Sequence, residues 1–333
     1  MQPTPESVHI DAILTNLSVA YRNGLYIADR VFPSVTVNKK SDKYFVFPKG
    51  AWFRDEADVR GPGAVAKEAG YLVSSDSYLC DEYAIDHRIP KETIENADDP
   101  LQPWQTGVNF ATEKILLRKE RLVAGKVMTI ANWTTSLDVN ALWAPTDATN
   151  TFISGIQTAK ETIRQLIGRY PNVLLMDPKT FKALKGVAAI IDRIKYTGTS
   201  GKPADVTLQT LASLFELDEV LLGGALYSSA KETKAGTDFT AVDIWELNAT
   251  KGSAFLYYRP PAAALEQPSA GYCFNWRGTE LGQAQVVSQD NFRTVKKWWE
   301  NKPESWMIRA SERLDAKVVS ADAGYLFYDT IVT

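Results

Sequence analysis

His9 and His87 are the only imidazoles in the chain. A Ser-His-Asp triad, a Cys-His pair or an imidazole-bound zinc would have to use one of them. His9 stands in a stretch with no sustained period and His87 in an alternating one, so ordinary surface and strand positions account for both. Cys80 and Cys273 are far apart and match no metal spacing; they read as buried free thiols of a reducing compartment rather than as a disulfide. GPGAVA at 61–66 touches the dinucleotide-loop pattern, but RDEADVR precedes it where a buried strand is required. GTSGKP at 198–203 has too few residues between its glycines for a phosphate loop, and Pro203 stands where Ser or Thr belongs. The adjacent carboxylates Asp55-Glu56, Asp81-Glu82 and Asp98-Asp99 point to opposite faces if extended, so none makes a glycosidase pair by itself. Trp298-Trp299 and Tyr257-Tyr258 suit packing and subunit contact better than a sugar platform. No catalytic, cofactor or metal site is expected.

The elements around these residues have a distinctive order. Residues 8–31 carry apolar positions without a sustained period, and Asn23-Gly24 interrupts them, as in an arm packed along something else. Tyr44–Pro48, YFVFP, reads as a strand, and Tyr78–Pro90 as its return, with Leu79, Tyr83, Ile85 and Ile89 alternating against Glu82, Asp86 and Arg88. Between them lies FRDEADVRGPGAVAKEAG, residues 53–70, whose first eight residues hold five charges. Such a segment cannot bury enough surface to offset the cost of ordering its backbone. The hairpin over 43–90 therefore has a tip of about 25 residues, well above ordinary hairpin loops, and a functional loop is expected.

From Trp104 to Trp133 the period becomes helical. Trp104, Val108, Ile115, Leu122 and Val127 mark the core face, charged residues including Lys119 and Glu120 fill the gaps, and Asp98 or Asp99 caps the start. At 1.5 Å per residue this is a rigid strut of roughly 45 Å. Residues near 150–285 mix short pieces: helices in FISGIQTAKETIRQLIGRY, KTFKALKG and LQTLASLFEL, and strands in NVLLMDP, EVLLGGALY, FLYYRPP and YCFNWRG. SWMIRASERLDAKVV and AGYLFYDTIVT read as a closing hairpin.

Composition narrows the function classes. With 333 residues, 45% of them hydrophobic, the chain can bury a large core and divide into domains. A net charge of -3 with interspersed signs lacks the basic footprint of direct duplex binding. No run approaches the ~18 apolar residues of a membrane span, and folding in a cytoplasm is expected.

Taken in order, these parts resemble the tailed-bacteriophage major capsid protein family with the Hong Kong 97 fold, in its lambda-type and prophage branch. VFPSVTVNKKSDKYFVF, RGPGAVAKEAGY, YAIDHRIPKETIENADDPLQ, LASLFELDEVLLGGALYSSAKE, DIWELNATKGSAFLYY and RLDAKVVSADAGYLFYDTIV are similar to stretches of those subunits. The resemblance implies an α+β fold with an N-terminal arm (1–35), an extended loop (36–90), a peripheral domain with a spine helix (91–149), an axial domain (150–285) and peripheral C-terminal strands (286–333). It implies hexamers and pentamers of the chain in an icosahedral virion shell around double-stranded DNA, bound without sequence specificity. Assembly would take place in the host bacterial cytoplasm, with a separate scaffolding protein, a portal and decoration proteins as partners, and with no membrane.

On that reading Arg54, Asp55, Glu56, Asp58 and Arg60 contact a neighbouring subunit, pairing across the boundary. Some relatives form Lys-Asn cross-links, but no pattern singles out a lysine here. The alternatives are an encapsulin-like nanocompartment shell of the same fold, and a monomeric α/β enzyme or carbohydrate-binding protein.

Overall fold

The computed structural model describes residues 23–97, 102–144, 150–197, 206–231, 238–248, 251–262, 267–277, 285–290 and 293–331. His9, Asp98, Asp99 and the 198–203 turn lie outside them. The described chain opens with a one-turn helix α1 (Ala28–Val31) and strands β1 (Ser34–Val37) and β2 (Ser41–Val46). After the short α2 (Lys49–Trp52) come β3 (Ser74–Leu79), β4 (Asp81–Pro90), α3 (Lys91–Glu95) and the long α4 (Pro103–Val127). Next are β5 (Thr135–Asp138), α5 (Phe152–Ile167), β6 (Val173–Met176), α6 (Pro178–Leu184), α7 (Ala188–Thr197), α8 (Leu208–Leu214) and β7 (Glu219–Leu222). β8 (Leu226–Ser228), β9 (Ala241–Asp243), β10 (Ala254–Tyr257), β11 (Gly271–Trp276), β12 (Gln285–Asp290), β13 (Arg293–Glu300), β14 (Ser305–Val318) and β15 (Gly324–Tyr328) complete the order.

Two sheets organise the molecule. One runs β1-β11-β14-β13-β12 with β4 also paired to β14; the other runs β5-β15-β10-β6-β7. α4 lies on the first, where Ala111 and Ile115 pack with Ile89, Val295, Ile308 and Ala310. Gly107 lets the helix come this close, because a Cβ there would stand 3.0 Å or less from His87, Ile89 and Ile308. α5 covers the second sheet with Phe152, Ile156, Ala159 and Ile163, a single helical stripe, over the fully buried β6 and β10. Asp177 starts α6 by accepting the Thr180 amide, and Thr207 and Thr210 start α8 as a reciprocal capping pair. A third core joins the sheets through Phe32, Val123, Val127, Trp133, Trp245 and Phe255.

Three expectations change. The return strand is two strands: β3 pairs with β2, whereas β4 turns away after Cys80 and pairs with β14 from Asp81↔Leu314 to Pro90↔Ser305. The C-terminal hairpin does not form, because β14 belongs to the first sheet while β15 crosses to the second, parallel to β5 and antiparallel to β10. The long helix ends at Val127 rather than Trp133. There the hydroxyl of Thr129, the amide of Asn132 and the indole of Trp133 donate to the carbonyls of Gly125, Lys126 and Val127 at 2.6, 2.7 and 2.8 Å, satisfying acceptors that another helical turn would have taken.

Candidate assembly surface

The finger is built on a firm root. β2 and β3 pair from Ser41↔Leu79 to Val46↔Ser74. Tyr44 and Tyr78 both stack on Phe274 of β11, with centroids at 5.5 and 4.8 Å. The Tyr44 hydroxyl donates to Asp76 at 2.8 Å, and Lys317 of β14 pairs with the same carboxylate at 2.8 Å. Above this root Phe47, Trp52 and Tyr71 pack as an aromatic trio. Lys49 reaches Asp322 at 2.5 Å, and the Phe53 ring lies against Gly168 at the end of α5.

Beyond Phe53 the contacts with the body stop. Residues 54–70 have no helix or strand, and every one except the half-buried Glu56 is exposed. Arg54 pairs with Glu56 at 3.0 Å, Lys67 with Asp58 at 2.9 Å, and Arg60 Nε donates to the Ala64 carbonyl at 2.6 Å. Asp55 is exposed with them. The five charged residues expected at this surface are thus brought together on one projecting segment, and four of them have partners within it.

The strut residues divide. Ile115 and Val127 are buried, Trp104 and Val108 are half-buried against the first sheet, and Leu122 is half-buried outside the core, beside the fully buried Val123. Lys119 and Glu120, read from the pattern as solvent-facing, are buried instead. Glu120 accepts the backbone amides of Ile27 at 3.0 Å and Ala28 at 2.8 Å and the indole N–H of Trp245 at 2.5 Å, so it ties arm, strut and second-sheet unit together. Burial pushes its carboxyl above the ordinary value against the pull of these donors. Lys119 meets Glu312 of β14 and Asp29 of the arm, both at 2.7 Å. Burial would lower its ammonium, but the two carboxylates outweigh it and hold it above the ordinary value. A sequence pattern shows none of this, since the partners of both residues are over 80 positions away.

Comparison with known proteins fits this geometry to a class. No family model matches the chain. It is 26% identical over 321 residues to the major capsid protein of Burkholderia phage BcepMu, covering 95% of each chain. It is 28% identical over 336 residues to the major capsid protein of Pseudomonas phage JBD67, covering 97% of each. Along nearly its whole length the chain is similar to phage major capsid proteins. Its fold agrees: a phage-related protein from Bordetella bronchiseptica RB50 superposes with TM-score 0.67 at 24% identity, covering 94% of each chain. The capsid of cyanophage P-SCSP1u superposes with TM-score 0.61 at 10% identity, covering 98% of this chain and 95% of that one.

In this chain the groups that chemistry would use have packing partners. His87 lies half-buried against Phe110 and α4, its imidazole held below the ordinary value by burial. Cys80 packs with Tyr272 and Phe274, while Cys273, between them on β11, points to the opposite face and joins the core that links the sheets. The thiols are free, and burial raises Cys80 to about 11 and Cys273 to about 12. Glu82 pairs with Arg313 at 3.1 Å, Arg309 lies over the Trp298 ring, and Trp299 packs edge-on against Trp306, which does the same against Trp104. Tyr257 is fully buried and Tyr258 accepts from Arg169 at 2.9 Å. Among the described residues no helix is long and apolar enough to cross a membrane.

Proposed function

We propose that the chain assembles with copies of itself, as hexamers and pentamers, into the icosahedral head of a tailed phage and encloses double-stranded DNA without catalysing a reaction. The observation that carries this reading is full-length similarity to two phage major capsid proteins in a molecule whose 54–70 finger is unsupported by its own body. The finger is the extended loop, held by a neighbouring subunit that meets the cost of its ordering, and Arg54, Asp55, Glu56, Asp58 and Arg60 lie on the contacting segment. The net charge of -3 suits a container that packs DNA and later lets it go. Both curated relatives are phage capsid proteins, which favours a genome over the enzyme cargo of a nanocompartment.

The division into domains that suits this role is threaded, not sequential. β1, β4, α4 and β11–β14 form the peripheral unit with α4 as its spine, and β5, α5–α8, β6, β7, β10 and β15 form the axial unit. A separate scaffolding protein, a portal and decoration proteins complete the head, which is assembled in the host cytoplasm. Expression alone and with a scaffolding protein, followed by size exclusion and negative-stain microscopy, tests the reading. Closed particles that hold nucleic acid when made during infection are expected, and a chain that stays a stable monomer under every condition overturns it.

A further inference from the structure

We propose that the finger is anchored in the shell by apolar contact with a second copy of this chain, through Val59, Val65 and Leu72, and that its charges shape and solubilise it instead of binding. The inference rests on the capsid reading and concerns what drives its contact.

Three observations carry it. Val59, Val65 and Leu72 are 102%, 91% and 88% exposed, so nothing in their own subunit touches them appreciably. Scattered apolar side chains on a surface are ordinary. Here, however, eight of the sixteen exposed large hydrophobics among the described residues fall between positions 45 and 73. Such a concentration of exposed apolar side chains on one projecting segment marks a contact surface.

Of the seven charged side chains in 53–70, in contrast, five are already engaged. Arg54 with Glu56, Asp58 with Lys67 and Arg60 with the Ala64 carbonyl close within the finger. Re-pairing Arg54, Glu56, Asp58 and Lys67 across a boundary would exchange one exposed ion pair for another, with little gain. Residues 53–70 carry three cations and four acids, too balanced for long-range steering. Apolar burial has no such competitor, because Val59, Val65 and Leu72 have only water to leave.

The finger is also aimed. The Tyr44–Phe274–Tyr78 stack and the Lys49–Asp322 pair fix its root, so the apolar side chains project from a firm base. A projection fixed at its root and carrying exposed apolar side chains along its length can make a head-to-tail contact that repeats around a ring of identical subunits and closes. That geometry, together with full-length capsid relatives, points to another copy of this chain as the occupant.

The test compares two full-length variants with wild type by sedimentation and negative-stain microscopy. Val59→Ser/Val65→Ser/Leu72→Ser should keep the subunit's circular dichroism and lower the yield of closed particles by about tenfold or more, the change that one lost unit of 1.4 kcal/mol produces. Arg54→Ser/Asp55→Ser/Glu56→Ser/Arg60→Ser should assemble within about twofold of wild type, as expected where exposed pairs contribute little. Wild-type particles should persist from about 0.1 to about 1 M salt, over which the screening length shrinks from roughly 10 to 3 Å. If the triple variant is poorly soluble, the near-isosteric Val59→Thr/Val65→Thr pair should still lower the yield. Normal assembly of the apolar variants with loss in the charge variant, or dissolution of wild type in salt, overturns this inference and leaves the capsid reading standing. Normal assembly of both variants overturns the finger contact as well, and absence of wild-type particles overturns the capsid reading itself.

Discussion

The carboxylate of Glu120, in the middle of the long helix, accepts the backbone amide of Ala28 at 2.8 Å. It also accepts the Ile27 amide and the Trp245 indole, so one buried group satisfies three donors from two other parts of the chain. Glu120→Ala should destabilise the subunit by about 3 kcal/mol, since each buried donor left unmade costs roughly 1–3 kcal/mol and water can reach some of them. Exchange protection of the amides of residues 27 and 28 should fall with it. Glu120→Gln should cost less, and its cost should depend on pH. Because burial raises this acid above its ordinary 4.5, its contribution to stability is fullest below that value and falls as pH rises through the raised one. Denaturant titrations should therefore show the largest gap between wild type and Glu120→Gln in acid, shrinking toward neutrality.

Lys119 and Glu312 form a buried pair at 2.7 Å, and Asn275 donates to the same carboxylate oxygen at 3.0 Å. Lys119→Met leaves Glu312 without its cation and should cost about 3–5 kcal/mol. Adding Glu312→Leu should recover most of that loss, since an apolar pair fits where a lone charge does not. A double-mutant cycle in urea measures the coupling; additive losses would show that the pair does not act as a unit.

Val123 and Leu122 are neighbours on α4 with different surroundings, the first fully buried and the second half-exposed. Val123→Asp puts an unpaired charge among Phe32, Val127 and Trp245 and should abolish soluble subunit. Leu122→Asp should leave it soluble with a loss of about 1 kcal/mol. Soluble yield and thermal melting of the two variants separate these outcomes.

Gly271 opens β11 beneath the Phe32 ring, and a Cβ there would stand 2.4 Å from the ring. Gly271→Ala should destabilise by about 1–3 kcal/mol through overpacking. Phe32→Leu combined with it should cost less than the sum of the two changes. Melting temperatures of the three variants give the comparison.

Local periodicity made much of this fold readable. The stripe of Phe152, Ile156, Ala159 and Ile163 and the alternation of Tyr83, Ile85 and Ile89 each reflect one face meeting a core; the first is α5 as expected, and the second is β4, the later part of the expected Tyr78–Pro90 strand. The finger was readable too, because seventeen residues without an apolar period cannot fold on themselves. What escaped depends on partners distant in sequence. Nothing between Leu79 and Asp81 announces that the strand exchanges β2 for β14, and nothing in Ala321–Ala323 says that the next strand enters another sheet. α7 is also illegible locally, because its Ile190, Ile191 and Ile194 sit in a run that a strand fits equally well. Lys119 and Glu120 read as solvent-facing because charged residues are rarely buried, and only the positions of Glu312, Asp29 and the Ile27 amide make them exceptions.

The place of β15 also constrains how the molecule is made. It lies between β5 and β10, so the second sheet has a gap in its middle until Tyr328 has left the ribosome. A nascent chain lacking those residues has open edges on β5 and β10 and leaves Trp143 without Phe327. A partly made chain therefore cannot take the finished shape, and any contact that needs the completed second sheet waits for its last strand.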